Sequence, residues 1–197
     1  MKIFTLLLLL SASLFAVNIN ESLLKIHATL LPKISMMDYK FEDKLQNNAI
    51  TIAIMYKSNQ YKDAQLLKNK IEARYRDGIK SYRVKPKLVP YQDIKKAQAN
   101  IYYLFPTNKK NIQKTIKQAN KNSALTFSYS EEDLKYGVMI SLDVSKKIKP
   151  ILNLDAIKTN EISFRPILID ISNIYTTSVL DDADTSGYYN TTQVFEV

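Results

Sequence analysis

Few side chains in this sequence are of a type and spacing that could carry out chemistry. His27 is the only histidine, and a catalytic imidazole needs an orienting partner that the sequence does not supply. The 197 residues include no cysteine, which excludes a thiol nucleophile, a disulfide framework, a cysteine zinc site and an iron-sulfur cluster. Gly78, Gly137 and Gly187 are too far apart to form a glycine-rich phosphate loop. We therefore predict no catalytic residue and no cofactor, and we expect His27 to have a structural or surface role.

One segment near the C-terminus has the spacing that opens a calcium-binding loop. Asp182, Asp184, Ser186 and Gly187 could supply the alternate oxygens and the glycine turn that wrap the cation. The twelfth position of such a loop is Gln193 rather than the glutamate that completes the coordination. We therefore predict no metal site here.

A run of acidic residues directly follows Ser130. The carboxylates of Glu131–Asp133 could form a catalytic pair. Acids in the first turn of a helix also interact favourably with the helix dipole, and Ser130 can cap that turn. We predict a capped helical turn rather than paired catalytic acids.

Polar residues also follow three of the predicted strands at the points where those strands end. The carboxyl ends of parallel strands meet at one edge of a sheet, where ligands bind in α/β folds, and each end leads to a helix N-terminus that can receive an anion. The same residue types serve as ordinary helix caps, so both a ligand or partner site and a capping role are open. The residues of this strand-end crevice are Lys57, Ser58, Asn59, Thr107, Asn108 and Ser130.

The hydrophobic pattern predicts the elements that position these residues. Dense β-branched or aromatic runs predict strands, and apolar residues at helical spacing predict helices. The predicted strands are 49–56, 88–90, 101–105, 125–129, 137–144 and 149–154. The predicted helices are a first one around 23–31 that is interrupted near Pro32, then 61–75, 93–98 and 108–121, and a last one from Pro166 that buries Ile167, Leu168, Ile171, Ile174 and Tyr175.

Strand and helix alternate three times, which predicts a parallel sheet with crossover helices on its faces. Only a few residues separate the strands 137–144 and 149–154, so we expect a hairpin at one edge, and Pro150 favours an edge because proline cannot donate to a ladder. The prediction is a single three-layer α/β domain, 17–180, with a mostly parallel sheet of about five to six strands, an antiparallel edge hairpin and helices on both faces. A polar tail, 181–197, follows it.

The N-terminus has the three parts of an export signal. Lys2 precedes an apolar run that contains five consecutive leucines, and a small residue, Ala16, ends it. The alternative, a retained membrane anchor, would need about 17 to 25 apolar residues. We predict that residues 1–16 are cleaved, that the protein is periplasmic and that no membrane span remains after cleavage.

Charge is distributed unevenly along the chain. Residues 57–121 contain 17 Lys or Arg and 4 Asp or Glu, whereas residues 131–197 contain 6 basic and 11 acidic residues. A basic segment attracts polyanions or an acidic protein surface, and export makes nucleic acid an unsuitable partner. A solvated helix face without a partner would have the same composition. The lysines of this candidate basic contact surface are Lys109, Lys110, Lys114, Lys117 and Lys121.

Four short segments, in their order along the chain, resemble a known family. They are Asn-Ile-Tyr-Tyr-Leu-Phe at 100–105, Ala-Leu-Thr-Phe-Ser at 124–128, Gly-Val-Met-Ile-Ser-Leu at 137–142 and Pro-Ile-Leu-Asn-Leu-Asp-Ala at 150–156. Together with the helices around them they resemble the YfiR-like family of periplasmic regulatory proteins over about 21–175. The resemblance implies a non-enzymatic regulator that binds the periplasmic part of an inner-membrane diguanylate cyclase and restrains cyclic-di-GMP synthesis. The cysteines of the family's prototype are absent here, so redox sensing is not implied.

Two hypotheses of function follow. In the first, an exported regulator or adaptor binds the inactive conformation of a membrane signalling protein, a diguanylate cyclase or a sensor kinase, through its basic 57–121 region. In the second, a periplasmic small-molecule-binding protein serves a transporter or sensor kinase through the strand-end crevice. An exported hydrolase ranks last because no nucleophile-base pair is found. Both hypotheses are compatible with a homodimer.

Overall fold

Seven strands and five α-helices make up the part of the chain that the computed structural model describes, residues 19–45 and 47–176. The helices are α1 (Glu21–Ser35), α2 (Tyr61–Arg74), α3 (Lys109–Lys121), α4 (Leu154–Thr159) and α5 (Pro166–Asp170). The strands are β1 (Ala49–Tyr56), β2 (Arg83–Pro90), β3 (Ile101–Leu104), β4 (Leu125–Ser128), β5 (Ile140–Asp143), β6 (Lys149–Asn153) and β7 (Asn173–Tyr175). Short 3-10 helices lie at Glu42–Lys44, Ser58–Gln60, Tyr91–Lys96 and Glu131–Tyr136.

The strands form one sheet in the order β2-β1-β3-β4-β5-β6-β7. The five strands from β2 to β5 in this order are parallel, β6 is antiparallel to β5, and β7 is parallel to β6. The chain leaves β1 on one side to form β2 and returns on the other side to form β3. The strand order therefore reverses between β1 and β3, which is the topological switch point of the sheet. The predicted mostly parallel α/β architecture is confirmed.

The central strands are buried on both faces. β1 is buried at every position except Thr51, and β3 and β4 are buried throughout. Side chains alternate along a strand, so Ile52 and Ile54 pack beneath α1 and α2 on what we call the first face, while Ala53 and Met55 lie on the second face. A strand covered on both sides needs apolar residues in both rows, which explains the continuous apolar run of β1.

Helices cover the two faces unequally. On the first face α1 and α2 bury Leu24 and Leu67 against the sheet. On the second face α3 places Ile112 and Ala119 over β3 and β4, and only the short 3-10 helix Tyr91–Lys96 and its following segment lie over β1 and β2. Over β1 and β2, the helical layer on the second face is therefore thinner than the layer on the first face.

The first helix runs through the position where an interruption is predicted. It begins at Glu21 because the Asn20 side chain accepts the N–H groups of Ser22 and Leu23 at 2.8 and 3.2 Å. Pro32 lacks the N–H that would bond to the carbonyl four residues earlier, yet α1 continues to Ser35. Pro32 is buried against the core and lies within the last turn, so the predicted interruption is wrong.

The predicted last helix is wrong in its second half. α5 ends at Asp170, and Ile174 lies instead in β7, which pairs with β6. Ile167 and Ile171, expected in the buried stripe, are 56% and 51% exposed. The apolar spacing is compatible with a helix, but the open side of β6 offers main-chain partners that local periodicity does not reveal.

The antiparallel pair of β5 and β6 is present, but it is not the edge of the sheet. β7 lies outside it, so the sheet has seven strands instead of five to six. The N–H of Asn153 donates to the carbonyl of Met139, towards β5, so the nitrogen of Pro150 faces away from β5, and the register with β7 begins only at Ile151. Its missing N–H therefore removes no bond between β6 and β7.

Two prolines protect the opposite edge, which is β2. The N–H of Arg83 donates to the carbonyl of Asn48, towards β1. Alternate residues of a parallel strand direct their main-chain groups to the same neighbour, so Pro86 and Pro90 face away from β1. Proline there costs no ladder bond and removes donors from the open edge, which disfavours pairing with a further strand.

We predict that Ile52→Ala lowers the free energy of unfolding by about 2 to 5 kcal/mol, because this side chain is fully buried at the centre of the sheet. Ile148→Ala is the matched control, since that side chain is half exposed, and we expect a change within about 0.5 kcal/mol. Urea unfolding followed by circular dichroism measures both variants. Similar losses in the two would contradict the assignment of β1 to the core.

Candidate functional site

The residues of the strand-end crevice lie along one edge of the sheet. β1, β3 and β4 are adjacent and parallel, so residues 57–59, Thr107, Asn108 and Ser130 follow them at the same edge. Residues 57–59 and Asn108 are exposed, while Thr107 and Ser130 are half-buried. The topology therefore brings together the residues that the sequence pattern singles out.

Two of these residues are engaged at the start of α3. The Asn108 carbonyl oxygen Oδ1 accepts the N–H of Asn111 at 3.0 Å. The Asn111 amide Nδ2 donates to Thr107 Oγ1 at 2.9 Å. These contacts are those of a helix cap, so the capping role of Asn108 is confirmed. The use of the crevice by a ligand or partner stays a prediction.

Gln60, which the sequence pattern does not single out, spans the switch point. Its Oε1 accepts the N–H of Lys57 at 2.9 Å, and its Nε2 donates to the carbonyl of Pro106 at 2.8 Å. The side chain is buried and joins the end of β1 to the segment after β3. It therefore lies across the place where α/β folds commonly bind ligands. A glutamine four residues after the end of β1 is the available sequence signal.

The acidic run forms a 3-10 helix, Glu131–Tyr136, in which Asp133 is buried. The Ser128 hydroxyl donates to the Asp133 carboxylate, and the Ser141 hydroxyl donates to the main-chain carbonyl of Ser128 at 3.2 Å. Burial raises the pKa of Asp133, and the bond from Ser128 opposes that rise. The helical turn is confirmed, but the side-chain cap by Ser130 is wrong. The network fastens this turn to β4 and β5.

His27 lies on α1 beneath the surface of the first face, 1% exposed and surrounded by aromatic rings. Its Nδ1 shares a hydrogen bond with the Tyr103 hydroxyl at 2.6 Å, and its Nε2 is buried without a partner. The rings of Tyr103, Phe127 and Tyr129 meet it edge-to-face at centroid distances of 5.3 to 5.7 Å. Desolvation lowers the pKa of His27 to about 3, so the imidazole is neutral at ordinary pH. It packs α1 onto the sheet, in the structural role expected.

The α3 lysine surface is the set of five lysines predicted as a basic contact surface, Lys109, Lys110, Lys114, Lys117 and Lys121. All five are exposed, and α3 contains no acidic residue. The opposite side of the helix buries Ile112, Thr115 and Ala119. The Lys109 Nζ lies 5.5 Å from the ring centre of Tyr136. α3 therefore presents positive charge outward from the second face, and its use as a contact surface stays a prediction.

A cavity of about 370 Å³ opens on the second face, between β1, β2 and the segment that follows β2. Its lining includes Ala53, Ala97 and Ala99, and Lys87 and Lys96 also contribute. The predicted strand-end residues do not line it. No local sequence signal reveals it, because it depends on how residues 91–99 lie across the sheet.

Several predictions fall outside the described residues. These are the export signal 1–16, the loop that resembles a calcium site at 182–187 and the polar tail 181–197. Among residues 19–45 and 47–176, no group of three or more His, Asp or Glu side chains is placed to hold a metal ion. In the same part of the chain, no helix has both the length and the apolar character needed to cross a bilayer.

The sequence matches the family described as YfiR/HmsC-like over residues 41–173, which is more than half of the chain. The protein belongs to the YfiR/HmsC-like family. This family consists of periplasmic regulators of diguanylate cyclases and is regulatory rather than catalytic. The matched segment of this YfiR/HmsC-like protein contains β1 to β6 and the first residue of β7.

Two solved structures share the fold. A conserved domain protein from Vibrio cholerae has a TM-score of 0.55 at 15% identity, over 78% of this chain and 60% of its own. An ABC domain in complex with L-Trp from Streptococcus pneumoniae has a TM-score of 0.53 at 9% identity, over 77% of this chain and 61% of its own. The YfiR/HmsC-like chain thus spans about three fifths of each, and at these identities the likeness shows the fold alone. The comparison with curated proteins finds no match.

The burial of His27 predicts an acid-dependent loss of stability. The unfolded chain binds a proton on this residue near pH 6.5, whereas the folded protein does so only near pH 3. The free energy of unfolding should therefore fall as pH is lowered from 6.5 towards 3, by at most about 1.4 kcal/mol per pH unit from this group. Urea unfolding at several pH values measures it.

The variants His27→Gln and His27→Phe separate this effect from that of the carboxylates. Each removes the titrating group, so the wild type should lose stability relative to both variants as pH falls, and the two differences should have the same pH dependence. A difference between wild type and variant that is constant from pH 7 to acid would contradict the buried, neutral imidazole.

Proposed function

We propose that this protein binds the periplasmic part of a membrane diguanylate cyclase and restrains cyclic-di-GMP synthesis. The family match over residues 41–173 is the observation that carries the proposal. The state of His27 is consistent with it, because a buried, neutral imidazole that packs a helix is not available as a catalytic base. The apolar N-terminal run that ends at Ala16 supports export to the compartment in which such a partner domain lies.

The mechanism is a shift of population in the partner. A regulator restrains an enzyme by binding its inactive conformation more tightly than its active one, and only the difference in affinity counts. A hundredfold preference, about 2.7 kcal/mol, moves an evenly balanced partner to about 1% active. No chemistry by the regulator is required. A stimulus acts by lowering that preference.

The α3 lysine surface is the proposed contact. Its charges lie on a helix whose other side is buried in the second face. The backbone is therefore already ordered, and binding costs little conformational entropy there. Gln118 of α3 also donates its Nε2 to the carbonyl of Ala97 at 2.9 Å, which attaches the helix to its neighbouring segment. Exposed positive charge speeds encounter with an acidic surface and makes the encounter sensitive to salt.

A second candidate function is a periplasmic small-molecule-binding protein that serves a transporter or sensor kinase. The cavity beside β1 and β2 is the observation that favours it. The strand-end crevice supports it less, because the Gln60 side chain lies across the switch point.

Deletion of the gene in the native organism tests the regulatory function. We predict that cellular cyclic-di-GMP rises, because without the regulator the cyclase is no longer held in its inactive conformation. Expression of the wild-type protein should return the cyclic-di-GMP level to its original value. Mass spectrometry of extracted nucleotides measures the level. An unchanged level after deletion would contradict the proposal.

Complementation with charge-reversal variants tests the surface. The triple variant Lys110→Glu, Lys114→Glu, Lys117→Glu should fail to restore the cyclic-di-GMP level, because opposite charge then repels an acidic partner. The matched control reverses the exposed Lys25, Lys33 and Lys158, which lie on α1 and α4, and produces the same change in net charge. If both triple variants complement fully, the α3 lysine surface is not the contact.

A further inference from the structure

The cavity on the second face is a gap in the cover of the sheet. α3 lies over β3 and β4, and the 3-10 helix Tyr91–Lys96 packs its buried Tyr91 and Ile94 beside β1 and β2. The Tyr91 hydroxyl donates to the carbonyl of Phe105 at 2.6 Å, which holds this helix at the carboxyl end of the strands. The space that remains over β1 and β2 is the cavity of about 370 Å³.

Small side chains keep this space open. Thr51 and Ala53 are the β1 residues whose side chains lie on the second face at its floor, and Ala53 offers only a methyl group there. Ala97 and Ala99 form the wall that follows the 3-10 helix, and Val89 of β2 is half-buried at the opposite side. The volume lies at the small end of the range of ligand pockets, about 300 to 1,000 Å³.

The wall is fixed by hydrogen bonds and is therefore preformed. The Ala97 carbonyl accepts bonds from the Tyr102 hydroxyl at 2.8 Å and from Gln118 Nε2 at 2.9 Å. At the other end of the wall, Asn100 Oδ1 accepts the N–H and the hydroxyl of Thr51, each at 2.8 Å. These bonds fix the two ends of the alanine wall, one to α3 and β3 and the other to β1. A preformed pocket costs little ordering energy when a ligand binds.

The charged groups that line the cavity favour an anion. Lys87 of β2 is exposed and pairs in register with Ala53, so its side chain lies on the second face at the cavity. The other charged lining residues are Lys96 and Asp93, whose Nζ and Oδ1 atoms are 3.2 Å apart. Two cations and one anion leave a single positive charge at the cavity. That balance suits a monoanion better than a dianion or a cation.

We propose that this cavity binds a small organic carboxylate with a compact apolar body. The apolar part lies against Ala53, Ala97 and Val89, and the carboxylate pairs with Lys87. The site is separate from the strand-end crevice and from the α3 lysine surface. The inference does not rest on the proposed function, because binding to the isolated protein is its only requirement.

The test uses purified protein with phenylacetate and, as the uncharged analogue, phenylacetamide. Isothermal titration calorimetry and saturation-transfer NMR measure binding. We expect phenylacetate to bind with a dissociation constant below about 1 mM and phenylacetamide to bind at least about tenfold more weakly, because it lacks the charge that pairs with Lys87. Absence of saturable phenylacetate binding in this range, or equal binding of the two compounds, would overturn the proposal.

Three variants locate the bound compound. Lys87→Gln should reduce phenylacetate binding to the level of the amide, whereas Lys85→Gln should bind as the wild type does, because Lys85 is exposed on the same strand and face but does not line the cavity. Val89→Phe should abolish binding of both compounds by filling the space. Unchanged binding in Lys87→Gln and Val89→Phe would place the compound elsewhere and overturn the proposal. Thermal unfolding of the free variants shows that each is folded.

Discussion

The burial of β1, β3 and β4 on both faces is the constraint on which the rest of the structure depends. Main-chain groups of a buried strand must bond to neighbouring strands, and both rows of side chains must be covered. The N-terminal helix α1 and the crossover helix α2 cover the first face, and α3 with short 3-10 helices covers the second. Because the second layer is thinner over β1 and β2, a cavity remains there, while α3 covers β3 and β4 on the same face and exposes its lysines.

The same constraint explains why the polar groups inside the molecule are structural. An unpaired buried nitrogen such as Nε2 of His27 costs about 1 to 3 kcal/mol. Each aromatic contact of the ring can return about 0.5 to 1.5 kcal/mol, and three such rings surround it. Asp133 and Gln60 are likewise used to join strand ends. These buried polar groups therefore serve to pack the helices and turns onto the sheet.

The sequence pattern predicts most of the layered core, because a strand that is buried on both faces has a continuous apolar run that a short sequence window reveals. β1 is predicted at its exact bounds from its apolar run, and α3 to within one residue from its spacing and the Asn108 cap. Apart from the Ser130 cap, which is a local failure, the failures that the fold shows depend on distant partners. β7 forms because β6 has an open side, and α1 passes Pro32 because the core holds it. Gln60 and the cavity involve segments about 40 residues apart, which no local window contains.

Residue-resolved hydrogen exchange monitored by NMR tests the two-sided burial most directly. The amides of Ile52, Ile54 and Tyr103 should exchange only through global unfolding, with the same free energy as urea unfolding reports. In β2, the amides of Val84 and Leu88 face away from β1 and should exchange far faster than those of Lys85 and Lys87, which face it. Central-strand amides that exchange as fast as those at the open edge would contradict a core buried from both sides.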